Sequence, residues 1–100
     1  MSPINAADFN ARLQNGESLN LLDVRETIEY ATYNIGGQNI PLSTLPTALN
    51  NIGYNKTDEI VVICKVGLRS QTATAILNEN GYDKARNLTG GLMGLQKIRS

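Results

Sequence analysis

The chain has no histidine and no tryptophan, and its only cysteine is at position 64. Without imidazole there is no Cys-His pair, no Ser-His-Asp triad and no zinc site built on histidine. A lone cysteine excludes an internal disulfide, a C-x-x-C redox pair and a thiolate metal cluster, so neither a metal nor another cofactor is expected. It also fits a reducing compartment. An excess of one charge is missing too: nine basic residues balance nine acidic ones. That balance offers no electrostatic footprint for nucleic acid or a membrane surface. The tyrosines, at 30, 33, 54 and 82, are too scattered for base stacking. No apolar run reaches the length that spans a bilayer, and the opening "MSPINAADFN" lacks a signal-peptide pattern. The expected setting is the cytoplasm.

What is present is an alternation of helix and strand patterns. Apolar residues at 41% and charged residues at 18% are ordinary for a folded chain, and 100 residues are read as one domain, 1–100. Asn5 and Asp8 have capping-box spacing, Phe9 and Leu13 share a helical face, and Gly16 supplies a stop. "LNLLDV" (19–24) reads as a buried strand and "ETIEYATY" (26–33) as a short helix ended by Gly36 and Gly37. Ile40-Pro41 reads as a short strand near an edge, where proline is tolerated. Ser43 is placed as the cap of a helix carrying Leu45, Leu49 and Ile52 to Gly53. "EIVVIC" (59–64) is the clearest strand, continuous rather than alternating, as when both sheet faces are covered. A helix is expected from Ser70 to Gly81, a short strand at "ARNL" (85–88), and a last helix after Gly90-Gly91. Strands alternating with helices on this spacing predict a parallel α/β sheet, whose ligands bind at the carboxyl ends of the strands.

Cys64 stands at such an end, followed by "KVGLRS". A loop from strand end to helix start points several N–H groups into one hollow, and Gly67 lets it curl tightly. Lys65 and Arg69 add positive charge. Together these predict a partly exposed thiol with a lowered pKa and an attraction for anions. The alternative is a small buried hydrophobe, but core filler does not need a charged, glycine-centred loop behind it.

"CKVGLRS" resembles the active-site loop C-x-x-G-x-R-S of the rhodanese-like sulfurtransferases. "LLDVRETIEY" (21–30) is similar to that family's D-V-R-x-x-x-E-Y segment, "NIGGQNIPL" (34–42) to its glycine-rich approach to I-P, and "NLTGG" (87–91) to its closing N-L-x-G-G. The ordered set extends from Asn5 to Leu95. The resemblance implies a five-stranded parallel sheet flanked by helices on both faces. It implies that Cys64 takes a sulfane sulfur and holds it as a persulfide. The backbone of Lys65, Val66, Gly67, Leu68, Arg69 and Ser70 would cradle that anionic sulfur, with Lys65 and Arg69 drawing in the donor. The donor is a small anion such as thiosulfate, a polysulfide, or the persulfide of a donor protein; the acceptor is a thiol, cyanide or a carrier protein. The loops look most like the rhodanese domains fused behind adenylylating enzymes of molybdopterin and thiamine biosynthesis, which pass sulfur to a small ubiquitin-like carrier. Two other functions attach to the same architecture: a non-catalytic binding or regulatory module, and a cysteine phosphatase with a C-x5-R loop. Retention of Cys64 in an intact loop favours an enzyme. Only four residues separate Cys64 from Arg69, a pocket for sulfur rather than a phosphoryl group.

Departures from the family pattern are Tyr33-Asn34 in place of Gly-His, Leu95 in place of a tryptophan, and a Gly37–Pro41 segment one residue shorter. The first two are read as packing changes, with Tyr33 also placed to line the approach to the pocket. Asp23 and Arg25 end a strand on the Cys64 side of the sheet. They are read either as support for the loop or substrate, or as a structural ion pair. Glu26 and Glu29 are read as a solvated helix face rather than paired carboxylates, and Met93 as core filling in preference to packing against the pocket.

Overall fold

Asn5 starts the first helix. In a computed structural model describing residues 1–100, its carboxamide accepts the Asp8 N–H at 2.8 Å and opens α1 (Ala6–Gln14). The remaining elements are β1 (Asn20–Asp23), α2 (Thr27–Thr32), β2 (Gln38–Asn39), β3 (Ile60–Ile63), α3 (Leu68–Glu79), β4 (Ala85–Asn87) and α4 (Gly91–Arg99). The strands pair in the order β2-β1-β3-β4, all parallel.

The sheet has four strands where five were expected. The fifth is reduced to Ile4, which makes a single parallel bridge to Leu88. Pro3 has no N–H to add to a ladder, and Asn5 is already turned to cap α1, so there is no room for a longer strand. Pairing at the opposite edge extends past Asn39. Ile40 N–H donates to Asp23 O and Leu42 N–H to Val24 O, both at 3.0 Å, with Pro41 between them.

The helix expected over 43–53 is instead two 3-10 turns, Leu45–Thr47 and Leu49–Asn51. Pro46 withholds a donor, and the hydroxyls of Thr44 and Thr47 bond to the carbonyls of Pro41 and Thr44. Such local bonds compete with helical ones. The helix expected from Ser70 begins at Leu68, so Arg69 and Ser70 both lie in its first turn.

Every residue of β3 is buried, because its side chains alternate between two cores. Ile60, Val62 and Cys64 join Leu22, Val24, Ala73 and Leu77 on the α3 face. Val61 and Ile63 join Phe9, Leu88, Leu92 and Leu95 on the face covered by α1 and α4. Each fully buried aliphatic side chain contributes about 1.5–3 kcal/mol relative to exposure, so this short strand carries much of the fold's stability. Leu95 is packed in the second core. No helix is long and apolar enough to cross a membrane.

A charge cluster ties α1 to the amino ends of β3 and β4, away from Cys64. Arg12 grips Glu59 with both terminal nitrogens at 2.8 and 2.7 Å, and Arg86 adds a contact at 2.8 Å. Hydrogen bonding from Arg12, opposed by burial and reinforced by Arg86, holds the Glu59 carboxyl at about 2, against an ordinary 4.5. A carboxyl lowered by folding stabilises fully above its unfolded value and loses that effect as pH falls through its folded value. Glu59→Gln is therefore expected to melt below wild type at neutral pH, with the gap narrowing between pH 4.5 and about 2. Circular-dichroism melts across that range test it; a pH-independent gap would show that the pairing contributes no linked stability.

Candidate functional site

Cys64 leaves the carboxyl end of β3 and its carbonyl is taken at once. Leu92 N–H donates to Cys64 O and Met93 N–H to Lys65 O, each at 3.0 Å, so the first amides of α4 anchor the start of the loop. The loop's own N–H groups turn onto the sulfur. Gly67 N–H reaches Sγ at 3.1 Å and Ser70 N–H at 3.2 Å, while the Ser70 hydroxyl lies 3.1 Å away. Burial pushes the thiol pKa up. The Ser70 hydroxyl and the N–H groups of Ser70, Gly67 and Val66 outweigh that and leave it below its ordinary value.

That direction agrees with the sequence reading; the exposure does not. Cys64 was expected to be partly exposed, yet it is 0% exposed. Its side chain lies under the α3 face, and the amides that hold the sulfur also draw the loop closed around it.

Two glycines make this packing possible. Gly67 caps α3 at φ +95°, and a Cβ there would meet Gly90 N at 3.0 Å. Gly91 has φ +58°, and a Cβ on it would lie 2.5 Å from Cys64 O and 2.6 Å from Lys65 O. Only a residue without a side chain lets α4 start against the loop.

The two loop cations are not equivalent. Arg69 spends both terminal nitrogens on Glu29, at 2.5 and 3.0 Å. Glu29 also accepts the Glu26 N–H in the capping box of α2. These bonds, Arg69 foremost, bring the Glu29 carboxyl to about 2. Glu29 was expected on a solvated face; the cation 40 positions away recruits it instead. Lys65 is exposed and takes part in no ion pair. Val66 and Leu68 are exposed beside it.

Asp23 and Arg25 form a buried pair at 2.8 Å, and Arg25 also donates to the Tyr33 carbonyl at 2.7 Å. They hold the end of β1 to the end of α2. Between α2, α4 and Lys65 runs a groove of about 350 Å³ lined by Arg25, Ile28, Tyr33, Lys65, Leu92 and Met93 among others. Met93 lies on this groove, the alternative to the preferred core position, because Leu92 and Leu95 take the core-facing positions of α4.

Asn87 was quoted only as part of a motif and Gly91 only there and as the lead into the last helix, and no role at the site was read for either. Asn87 contacts both Ser70 Oγ and Gly67 O. Their signal was the "NLTGG" pattern itself, and that of Glu29 was the E-Y of "DVRETIEY".

A single thiol cradled by loop amides, between a parallel strand and its following helix, defines a class of α/β protein. The model of the rhodanese-like domain matches residues 5–98, and the chain belongs to that family. It is 38% identical over 85 residues to YrkF of Bacillus subtilis, a candidate sulfur carrier protein. It is 34% identical over 106 residues to the adenylyltransferase and sulfurtransferase MOCS3 of Arabidopsis thaliana. These alignments cover 84% and 91% of this chain but only 45% and 23% of those proteins. Among solved structures, the human single-domain sulfurtransferase TSTD1 superposes with a TM-score of 0.84 at 29% identity, covering 98% of this chain and 97% of that one.

Gly91→Ala tests the packing of α4 on the loop, with Gly16→Ala as control because its β-carbon at φ +84° meets nothing within 4 Å. Gly91→Ala is expected to destabilise by about 1–3 kcal/mol more than Gly16→Ala, the usual cost of overpacking. It should also raise the pH at which Cys64 is alkylated, as the amides lose their aim. Equal melting temperatures and an unmoved alkylation profile would contradict it.

Proposed function

We propose that the protein is a sulfurtransferase that carries sulfane sulfur on Cys64 as a persulfide. The supporting observation is the convergence of the Gly67 and Ser70 N–H groups on Sγ at 3.1 and 3.2 Å. Preorganised amides stabilise a thiolate, and after transfer they are the nearest donors for an anionic outer sulfur. With thiosulfate, the thiolate attacks the outer sulfur, a Cys64 S–S bond forms, and sulfite leaves with the electrons of the broken bond. An acceptor such as cyanide then attacks the outer sulfur, departs as thiocyanate, and returns the thiolate. Once the thiolate has formed, neither step needs a proton donor or base from the protein, which suits a chain without histidine. Because Cys64 is covered, the loop must open for each transfer.

Lys65 is the cation that draws in the donor, since Arg69 is neutralised by Glu29. The Arg69–Glu29 pair braces the loop against α2. The groove beside Lys65 receives the acceptor, a small sulfur-carrier protein, a class of protein that the name of the YrkF relative mentions. A phosphatase reading has less support. Its arginine must be free to hold a phosphoryl group, whereas Arg69 gives both terminal nitrogens to Glu29. The lone thiol suits a reducing compartment such as the cytoplasm.

Cys64→Ser is expected to reduce thiosulfate:cyanide turnover to background while the circular-dichroism spectrum and melting temperature stay near wild type. A serine oxygen accepts the same N–H bonds, but it is un-ionised at neutral pH and holds no transferable sulfur. Turnover in the folded variant would sink the persulfide reading.

Lys65→Ala is expected to raise the KM for thiosulfate about three- to tenfold at low ionic strength, with the difference shrinking as salt screens it. Glu29→Gln, which unmasks Arg69, should move KM the other way. Unchanged KM in both variants would remove donor steering from the scheme.

A further inference from the structure

The Ser70 hydroxyl has one hydrogen and stands between two acceptors. Its oxygen lies 3.1 Å from Cys64 Sγ and 2.5 Å from Asn87 Oδ1. The other end of the Asn87 carboxamide is committed, because Nδ2 donates to the Gly67 carbonyl at 3.2 Å. Turning the carboxamide over would set its oxygen against that carbonyl, lone pair to lone pair, so Oδ1 is the atom facing Ser70. With the hydroxyl donating to Asn87, Ser70 Oγ accepts the S–H of the neutral thiol, and the row from Cys64 to Gly67 is fully satisfied; the N–H groups of Ser70, Gly67 and Val66 still lower the thiol pKa, and the hydroxyl adds to that only when it turns to the sulfur. No buried side-chain nitrogen or oxygen in the structure lacks a partner.

Loss of the thiol proton breaks this row. The sulfur becomes an acceptor only and gains the hydroxyl only if that hydroxyl turns away from Asn87, leaving Oδ1 without its donor. We propose that Asn87 is a positioning residue: it holds the Ser70 hydroxyl away from Cys64 and so biases the unloaded sulfur toward its protonated form. In a persulfide the negative charge moves to the outer sulfur, and Sγ neither donates nor carries charge. The hydroxyl then stays on Asn87 without conflict. The device therefore penalises only the free thiolate, the form most open to oxidation.

The charged groups around the loop do not duplicate this effect. Arg69 of α3 is matched by Glu29 of α2, and Asp23 and Arg25 at the end of β1 are paired with each other. Lys65 projects to solvent, and the first turn of α4 brings no charge. None of these side chains bonds to Ser70 or Asn87.

This role presupposes that Cys64 is the reacting thiol, yet it is testable without sulfur transfer. Cys64 is the only cysteine, so thiolate ultraviolet absorbance against pH reports its ionisation alone. Asn87→Ala is expected to lower the midpoint by about one pH unit, the scale of a single hydrogen bond to a charged group. The same substitution made on top of Ser70→Ala should move the midpoint by no more than a few tenths of a unit. An equal shift in both backgrounds, no shift, or an upward shift with Ser70 present would overturn the role of Asn87. If Asn87→Ala fails to fold by circular dichroism, Asn87→Leu keeps the size and removes the acceptor. It should lower the midpoint with Ser70 present and move it by no more than a few tenths of a unit in Ser70→Ala; an equal change in both backgrounds would again overturn it. A Ser70-dependent shift in a protein that fails to turn over thiosulfate would uphold the role of Asn87 and overturn the transferase reading alone.

Discussion

At Gly91 a β-carbon would stand 2.5 Å from the carbonyl oxygen of Cys64 and 2.6 Å from that of Lys65. Its absence lets the first amides of α4 take those two carbonyls, and once they are taken the loop has its N–H groups free to face inward. The Gly67 and Ser70 amides then meet on Sγ at 3.1 and 3.2 Å. The glycine, the helix start and the amide cradle are thus one construction. Asn87 closes it from the side by holding the Gly67 carbonyl and the Ser70 hydroxyl together.

Charge is distributed to match. At the amino ends of the strands, Glu59 gathers Arg12 and Arg86 and clamps α1 to the sheet, a purely architectural cluster. At the carboxyl ends the pairs are arranged around the thiol: Asp23 with Arg25, and Glu29 with Arg69. Both bind α2 to the rest of the site, the first by burial and the second across the mouth. With these cations neutralised, Lys65 is left as the loop's unpaired positive charge. A chain with zero net charge therefore presents a local positive point beside its cysteine.

Much of this was legible because it is local. The strand ending at Cys64, the turn allowed by Gly67 and the helix behind it are set by residues within a dozen positions of one another. The four ordered motifs marked the family for the same reason. Local signals also misled. Leu45, Leu49 and Ile52 have helical spacing, but Pro46 and the threonine hydroxyls beside it divide the segment into two 3-10 turns. Ile4 has strand chemistry, but Pro3 and the cap at Asn5 leave it a single bridge.

What the sequence determined by itself was the order of elements, the parallel α/β class, and the identity of the one thiol at a strand's carboxyl end. It did so through apolar periodicity, glycine placement and the lack of any other nucleophile of that kind. Only the tertiary structure decided that Glu29 neutralises Arg69 from 40 positions away, that Asn87 contests the Ser70 hydroxyl, and that the sulfur is buried. Each of these depends on how α2, β4 and α4 meet the loop in space. A hydrogen bond or an ion pair is set by that meeting of surfaces, and sequence spacing carries no record of it.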